Sequence, residues 1–209
     1  MNPFRPRGAV YGTLMNFRSE HEALGATMEQ PPYKAPPRAP VLYVKPSNTW
    51  NHPGSQVAIP ATADEVEIGA TLAMVMAAPG VPGVPGVPGH WVLVNDLSLP
   101  HTSFFRPAVK QRCFDGSLVV GETIVPFGEA VPIEVRVNGE LRQTVRFDAL
   151  VRSPSQLLAD VSEFMTLDAG DLLMLGCEAQ RPRVRAGDTV ELSAPGLGTI
   201  RNVFVKEAA

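Results

Sequence analysis

Short runs in which apolar residues dominate or alternate with polar ones recur along the chain, and they predict β-strands joined by turns. The clearest run is residues 133–147 (IEVRVNGELRQTVRF). There Asn138 and Gly139 lie between two alternating segments, which predicts a tight hairpin. Further strands are predicted at residues 9–17, 41–46, 66–76 and 90–99, and after each of the two Ala-Gly-Asp sequences that begin at residues 169 and 186.

Helix signals are fewer. Residues 153–165 (SPSQLLADVSEFM) predict the main helix, since Ser153 can cap its start and Pro154 suits the first helical position. The apolar face of this helix is predicted to consist of Leu157, Leu158, Val161, Phe164 and Met165. A shorter helix is predicted after Ser19, because Ser19 and Glu22 have the spacing of a capping box. The chain is therefore expected to be mostly β, in the α+β class.

A repeat, PGVPGVPGVPG, occupies residues 79–89. Collagen also needs Gly at every third position, but three triplets are too few to hold a triple helix, and apolar strand signals flank the repeat. Its Pro-Gly steps favour turns or a short extended segment. The repeat is therefore interpreted as a connector loop between two strands, and function is expected in what it joins.

Composition limits the possible classes of protein. The chain has 209 residues, of which 44% are hydrophobic and 19% charged, which fits one globular domain over residues 1–209. A net charge of −3 without a basic cluster argues against nucleic-acid binding. Two cysteines, Cys113 and Cys177, make no disulfide framework. The longest apolar run is too short for a membrane span and the N-terminus lacks a signal-peptide core, so the protein is expected to be cytoplasmic.

Five motifs follow one another in an order that resembles the fumarylacetoacetate hydrolase family: YGTLMNFRSEHEAL, PPYKAPPRAPVLYVKPSNTW, VNDLSLPHTSFFRPAVKQRC, DGSLVVGETI and SQLLADVSEFMTLDAGDLLMLG. The resemblance covers residues 10–203. Within the family the chain is most similar to the amino-terminal halves of bifunctional decarboxylase/isomerases of homoprotocatechuate (4-hydroxyphenylacetate) breakdown. The resemblance implies layered, mixed β-sheets, and an active site in which Mg²⁺ or Mn²⁺ binds a 2-oxo acid.

The metal site that the resemblance implies is incomplete in this chain. Family members carry a Glu-x-Glu pair on one strand, and Gly69 and Thr71 stand at those two positions. The third ligand matches Asp96, which is present. Because a hard cation takes about six oxygen ligands, no tight binding of Mg²⁺ or Mn²⁺ is expected here.

Two glutamates nearby have the spacing of the missing pair. Glu65 and Glu67 lie four residues before the expected positions, which is about 13 Å along an extended strand. They could replace the pair only if the strand slipped by four residues. They are instead interpreted as a solvated strand end.

The acid/base residues of the family are not matched either. Glu20 and Ala23 stand at the positions of the family's His and Glu, and His21 is displaced by one residue, which turns a helical side chain by about 100°. Cys177 replaces the threonine of a Gly-Thr-Pro motif and has no visible partner base, so it is not expected to be a nucleophile. No catalytic residue is assigned.

Four residues are candidates for a substrate pocket: Arg18, Lys45, Asp96 and Arg112. Lys45 lies in the KPSNT sequence that matches the family's Lys-Pro element, and Arg112 stands where many members have lysine. The positive side chains of Lys45 and Arg112, with those of Arg18 and Arg106, could attract a dicarboxylate. Ordinary surface salt bridges are the alternative.

Three functional hypotheses follow. In the first, the chain is a catalytically deficient subunit, and a related chain with an intact Glu-x-Glu supplies the metal in a dimer or higher oligomer. The substrate would be a small dicarboxylic 2-oxo acid, and the absence of a second half before residue 209 agrees with separate chains. In the second, it is a stand-alone enol–keto isomerase that uses Lys45, Arg112 and Asp96. In the third, it is a non-catalytic binding or scaffold protein.

Overall fold

The computed structural model describes residues 2–81, 83–101 and 108–207. Its strands are β1 Val10–Leu14, β2 Val41–Val44, β3 Trp50–Asn51, β4 Gln56–Ile59, β5 Val66–Glu67, β6 Ala70–Ala78, β7 Val87–Asp96, β8 Leu118–Pro126, β9 Ile133–Val137, β10 Glu140–Val145, β11 Leu172–Met174, β12 Arg183–Val184, β13 Thr189–Ala194 and β14 Gly198–Lys206. The α-helices are α1 Arg18–Leu24, α2 Val109–Arg112 and α3 Pro154–Ser162. Short 3₁₀ turns occupy Gly25–Glu29 and Ser47–Thr49.

The strands form three sheets, and most of their pairings are antiparallel. A seven-stranded sheet has the order β2-β1-β11-β6-β7-β8-β3, a five-stranded sheet has the order β10-β9-β13-β14-β4, and β12 pairs with β5. The pairs β1/β11, β3/β8 and β4/β14 are parallel. The mostly β, mixed-sheet class predicted from the sequence is confirmed.

The seven-stranded sheet buries both faces, which explains why its central strands are apolar at nearly every position. Leu93 packs in the main core together with Val135 and Leu192 of the five-stranded sheet. Val92 and Val94 point to the opposite face and pack in a second, smaller cluster. This double burial holds the end of β7, where Asp96 lies, in a rigid and dry environment.

Two turns carry much of the strand pairing. Asn138 and Gly139 have φ angles of 53° and 84°, as the two central residues of a type I′ turn require, so the predicted hairpin of β9 and β10 is confirmed. The Pro/Gly repeat lies in the connection from β6 to β7, where Val81 and Val84 exchange backbone hydrogen bonds of 3.1 and 2.8 Å. Its last residues, from Val87 onward, belong to β7.

The single strand predicted at residues 66–76 is wrong in one respect, since the structure divides it into β5 and β6. β5 pairs with β12, whereas β6 pairs with β7 and β11. Between them the N–H of Ile68 donates to the carbonyl oxygen of Pro182 at 2.8 Å. The chain therefore changes partners just before the position where the family's paired carboxylates begin.

The main helix is confirmed, but its apolar face is smaller than predicted. Ser153 Oγ accepts a hydrogen bond of 3.2 Å from the N–H of Gln156, as an N-cap residue does. The regular helix ends at Ser162, and Phe164 is 58% exposed. Phe164 therefore does not belong to the buried face, because the chain has already left the helix there.

The short helix α1 is confirmed, but the predicted capping box is wrong. The helix begins at Arg18, and Phe17 occupies the N-cap position without a side-chain hydrogen bond. The reason is tertiary. The N–H of Arg18 donates to the carbonyl oxygen of Ala149 at 3.0 Å, so a distant segment satisfies the first free N–H of the helix, which therefore begins one residue before Ser19. No helix in the described part of the chain is long and apolar enough to cross a membrane.

The two serines at the helix starts provide a matched comparison. We expect Ser153→Ala to lower the free energy of unfolding by about 1 kcal/mol, because it removes a real N-cap. Ser19→Ala should cost less than about 0.5 kcal/mol, because Ser19 is exposed, does not cap its helix, and only accepts a hydrogen bond of 3.3 Å from the N–H of Ala179. Urea unfolding followed by circular dichroism measures both. An equal loss in the two variants would contradict the assignment of the caps.

Candidate functional site

Four side chains from distant parts of the chain meet at the end of β7. Asp96 is the last residue of this strand, Tyr43 lies in β2, Lys45 follows β2, and Arg112 ends α2. We call these four residues the buried ion cluster. The sequence predicted Lys45, Asp96 and Arg112 as neighbours in a pocket, and the structure brings these three together. Their role in binding substrate stays a prediction.

The carboxylate of Asp96 is the centre of the cluster. Lys45 Nζ lies 2.9 Å from Asp96 Oδ1, and Arg112 Nη1 lies 3.3 Å from Oδ2. The hydroxyl of Tyr43 donates to the same Oδ2, and the guanidinium carbon of Arg112 lies 4.5 Å from the centre of the Tyr43 ring. Asp96, Lys45 and Arg112 are 0%, 1% and 2% exposed. The surface salt bridges considered as an alternative are therefore wrong for these three residues.

Backbone carbonyls hold Lys45 in place. Its ammonium group donates to the carbonyl oxygens of Leu97 and Ser117 at 2.9 and 3.1 Å, and to that of Arg112. Since an ammonium group has three N–H donors, these carbonyls satisfy it, and the contact with Asp96 is an ion pair. Lys45 thus ties β2 to the segments around Leu97 and Ser117.

Burial and neighbouring charges shift the pKa of Asp96 in opposite directions. Burial alone would raise the pKa of its carboxyl group, but Lys45, Arg112 and the Tyr43 hydroxyl together hold this pKa below its usual value. Burial and the negative charge of Asp96 raise the pKa of Tyr43 well above its usual value. Asp96 is therefore an anion and Tyr43 a neutral donor at physiological pH.

The sequence did not identify Tyr43 or Glu20 as members of the site. Tyr43 and Lys45 are two residues apart in a predicted strand, so alternation already placed them on one face. Glu20 is 6% exposed, and its Oε2 accepts a hydrogen bond of 2.5 Å from the N–H of Met15. Burial raises the pKa of Glu20, while Arg112 and Arg181 oppose this shift. Glu20 is thus a buried carboxyl group near the cluster, whereas His21 is half-exposed.

The positions of the missing metal ligands are closed. A Cβ atom on Gly69 would lie 2.0 Å from the carbonyl oxygen of Asp96 and 3.0 Å from Cys177 Sγ. Thr71 is fully buried, and its hydroxyl donates to the carbonyl oxygen of Leu72 at 3.3 Å. No group of three His, Cys, Asp or Glu side chains that could hold a metal ion occurs among the described residues.

The remaining carboxylate does not fit a divalent cation either. Both oxygens of Asp96 already face the positive groups of Lys45 and Arg112, which would repel a second cation. A hard cation also needs several oxygen ligands, and the described residues around Asp96 form no group of three side chains that could hold one. The residues therefore do not fit the Mg²⁺ or Mn²⁺ that the resemblance implies.

Glu65 and Glu67 bind arginines. Glu67 Oε2 lies 2.5 Å from Arg181 Nη2, and Glu67 Oε1 lies 3.2 Å from Arg183 Nη2. Glu65 Oε1 is 2.8 Å from Arg183 Nη1. Since Ala70 of β6 pairs with Asn95 of β7, the four-residue slip does not occur. The interpretation of this segment as a solvated strand end is wrong for Glu67. This residue is only 8% exposed because β12 and Arg181 cover it.

One of the predicted pocket cations lies elsewhere. Arg18 is exposed on the first turn of α1 and does not join the buried ion cluster. A helix residue that precedes the buried Glu20 by two positions points away from it, which explains this difference. Arg106 lies outside the described residues.

Cys177 is buried beside Gly69 and is 4% exposed. Burial, together with the charge of Asp96, raises the pKa of its thiol to about 12. We expect Cys177 to resist iodoacetamide at pH 8 in the folded protein and to react in urea, because the thiolate is the nucleophile. Mass spectrometry of the labelled peptides measures this. Cys113, which is half-buried, is the internal comparison, and rapid labelling of Cys177 in the folded state would contradict its assignment as inert.

Comparisons of the sequence with known proteins agree with the fold. The family described as "Fumarylacetoacetate (FAA) hydrolase C-terminal" matches residues 9–205. The 4-hydroxyphenylacetate degradation bifunctional isomerase/decarboxylase of Escherichia coli is 33% identical over 206 residues, which cover 96% of this chain and 48% of that protein. The chain thus spans about half the length of this relative.

Two solved structures with the same fold are those of named enzymes. The 5-carboxymethyl-2-hydroxymuconate delta-isomerase from Mycobacterium smegmatis has a TM-score of 0.79 and 26% identity, over 97% of this chain and 80% of that one. The fumarylpyruvate hydrolase from Pseudomonas aeruginosa, solved with Mn²⁺ and pyruvate, has a TM-score of 0.76 and 20% identity, over 99% of each chain. The second likeness concerns the fold alone.

Proposed function

Because the chain belongs to the fumarylacetoacetate hydrolase family, we propose that it is one subunit of a decarboxylase/isomerase, and that a related chain supplies the metal. It corresponds to the amino-terminal half of the bifunctional enzyme of homoprotocatechuate (4-hydroxyphenylacetate) catabolism. The assembly decarboxylates 5-carboxymethyl-2-oxo-hex-3-ene-1,7-dioate and isomerises the product, 2-hydroxyhepta-2,4-diene-1,7-dioate. The chain alone is catalytically deficient in this proposal.

One observation carries the proposal: two cations compensate the single carboxylate that remains from the expected metal site. Asp96 faces Lys45 at 2.9 Å and Arg112 at 3.3 Å, and the backbone leaves no room for a side chain at residue 69. In a metal-dependent enzyme the cation stabilises the enolate that forms when CO₂ leaves or a double bond moves. A chain without that cation needs a partner for this chemistry.

The proposed partner is a related chain with an intact Glu-x-Glu pair, assembled with this one as a dimer or higher oligomer. Similarity to a bifunctional isomerase/decarboxylase supports a role in this chemistry, and the missing carboxylate pair supports a partner that supplies the metal. Mg²⁺ or Mn²⁺ would be held by the partner, and the substrate would be a small dicarboxylic 2-oxo acid.

The test is a turnover assay that follows the loss of the dienoate absorbance. The purified chain with Mg²⁺ or Mn²⁺ is compared with the chain plus a family member that carries Glu-x-Glu, and with that member alone. We expect no turnover from the chain alone and, in the mixture, more turnover than the partner shows by itself. Metal-dependent turnover by the chain alone would overturn the proposal, as would a mixture no faster than the partner.

One observation favours a second function, the stand-alone enol–keto isomerase. Glu20 is a buried carboxyl group whose pKa is raised, near Arg112, and such a group can move a proton while a cation stabilises the enolate. Turnover that persists in EDTA and falls by more than about 100-fold in Glu20→Gln would support this function over the first.

A further inference from the structure

A second buried arginine lies beside the buried ion cluster. Arg181, between β11 and β12, donates from Nη1 to Ser98 Oγ at 3.1 Å and places Nη2 2.5 Å from Glu67 Oε2. Its side chain is only 7% exposed. Among the described residues, its Nε has no hydrogen-bond partner, although the atom is buried. Neither the proposed reaction nor the resemblance gives this arginine a role.

Arg112 is likewise a buried arginine that pairs with a carboxylate and has a buried Nε without a partner among the described residues. Its Nη1 faces Asp96, and its guanidinium group stacks on Tyr43. A buried donor without a partner is unfavourable unless a ligand satisfies it. Two such donors on neighbouring guanidinium groups therefore indicate an anion site.

The backbone places the two residues that contact these arginines, Asp96 and Ser98, on the same face. The N–H groups of Asp96 and Ser98 donate to the carbonyl oxygens of Gly69 and Glu67, whereas the N–H of Leu97 donates to Ser117 on the other side. This alternation shows that residues 96–98 are extended. The side chains of Asp96 and Ser98 therefore point to the same face, with their Cα atoms about 7 Å apart. Asp96 anchors Arg112 and Ser98 anchors Arg181.

The charges of this region favour an anion. The buried cations are Lys45, Arg112 and Arg181, and the buried carboxylates that pair with them are Asp96 and Glu67. Glu20 is the third buried carboxyl group near the two arginines, and burial favours its neutral form. The three cations thus outnumber the two carboxylates that pair with them.

We propose that Arg112 and Arg181 form a metal-independent site for a small dicarboxylate, with one carboxylate on each guanidinium group. The inference rests on the proposed function, in which the substrate is a dicarboxylic 2-oxo acid, and it assigns substrate binding to this chain. Guanidinium groups bind carboxylates through paired N–H donors and keep their charge without any metal. The chain thus holds the substrate with fixed cations where the family uses Mg²⁺ or Mn²⁺.

The experiment is calorimetric titration of the intact chain with glutarate, pimelate and the monocarboxylate butyrate, all in EDTA. We expect both dicarboxylates to bind and butyrate to bind at least tenfold more weakly. Arg181→Gln should weaken glutarate binding at least tenfold, and Arg181→Lys should also weaken it, because lysine keeps the charge but loses the paired donors. Arg185→Gln is the matched control, since the Arg185 side chain is 75% exposed and its guanidinium group lies 3.7 Å from Glu65.

Several results would overturn the site: no dicarboxylate binding, binding only after Mg²⁺ is added, or unchanged affinity in both Arg181 variants. Thermal unfolding of each variant identifies a loss that comes from misfolding, and Arg181→Lys keeps the test valid if Arg181→Gln is unstable. Binding without partner-dependent turnover would support the site and reject the subunit role. Partner-dependent turnover without binding in EDTA would do the reverse.

Discussion

Replacing Asp96 by Asn lowers the free energy of unfolding by about 3–5 kcal/mol, the largest loss that we expect from any single substitution in this protein. The reason is that Lys45 and Arg112, both almost fully buried, lose their shared counter-charge. An intact buried ion pair adds little net stability, but its remaining half is strongly unfavourable. Asn keeps the shape of the side chain, so a loss of stability of this size would come from the missing charge and not from a cavity.

The pH dependence of the same effect provides a check. Because the pKa of Asp96 is lowered in the folded protein, its contribution is complete above the unfolded pKa of about 3.9 and disappears as pH falls through the folded value. The difference in stability between the wild type and Asp96→Asn should therefore be constant above about pH 5 and shrink below about pH 4. Urea unfolding at a series of pH values measures it.

The control is Glu122→Ala, which removes an exposed carboxylate that pairs with Arg5 at 2.7 Å. Since both side chains are more than 40% exposed, this change should cost no more than about 1 kcal/mol. If Asp96→Asn were equally mild, the charge of Asp96 would not be needed to compensate the two cations.

Restoring the family's paired carboxylates with Gly69→Glu and Thr71→Glu should not restore a metal site. Any side chain at residue 69 meets the carbonyl oxygen of Asp96, which a Cβ atom would approach to 2.0 Å. Even Gly69→Ala should lower the free energy of unfolding by about 3 kcal/mol. The new Cβ atom would press against the backbone of Asp96, which cannot move aside as a flexible side chain could. The backbone between β5 and β6 thus leaves no room for a ligand side chain at residue 69.

Urea unfolding and Mn²⁺ electron paramagnetic resonance together test this second result. Gly128→Ala is the matched control, since nothing lies within 4 Å of its Cβ position, and it should change stability by no more than about 1 kcal/mol. A double variant with wild-type stability that binds Mn²⁺ would show that the missing side chains alone explain the loss of the site.

The order of motifs was enough to identify the family, and alternation was enough to place most strands and the hairpin at Asn138 and Gly139. These are local properties, because a run of two-residue period or a turn that needs positive φ is encoded in neighbouring residues. Helix α3 belongs to the same class, since Ser153 and Pro154 lie next to the residues that they order. The placing of Gly69 and Thr71 at the positions of the family's paired carboxylates came from the resemblance and stays a prediction.

Tertiary structure decided everything that depends on residues far apart in the chain. The division of the strand at Ile68, the cap of α1 by Ala149, and the meeting of Lys45 with Asp96 all involve contacts across at least 50 residues. The burial of charged side chains could not be predicted either, because a charged residue is expected to be exposed until its partner is known. This is why Glu67 was interpreted as a solvated strand end, and why Arg181 was not among the candidate residues.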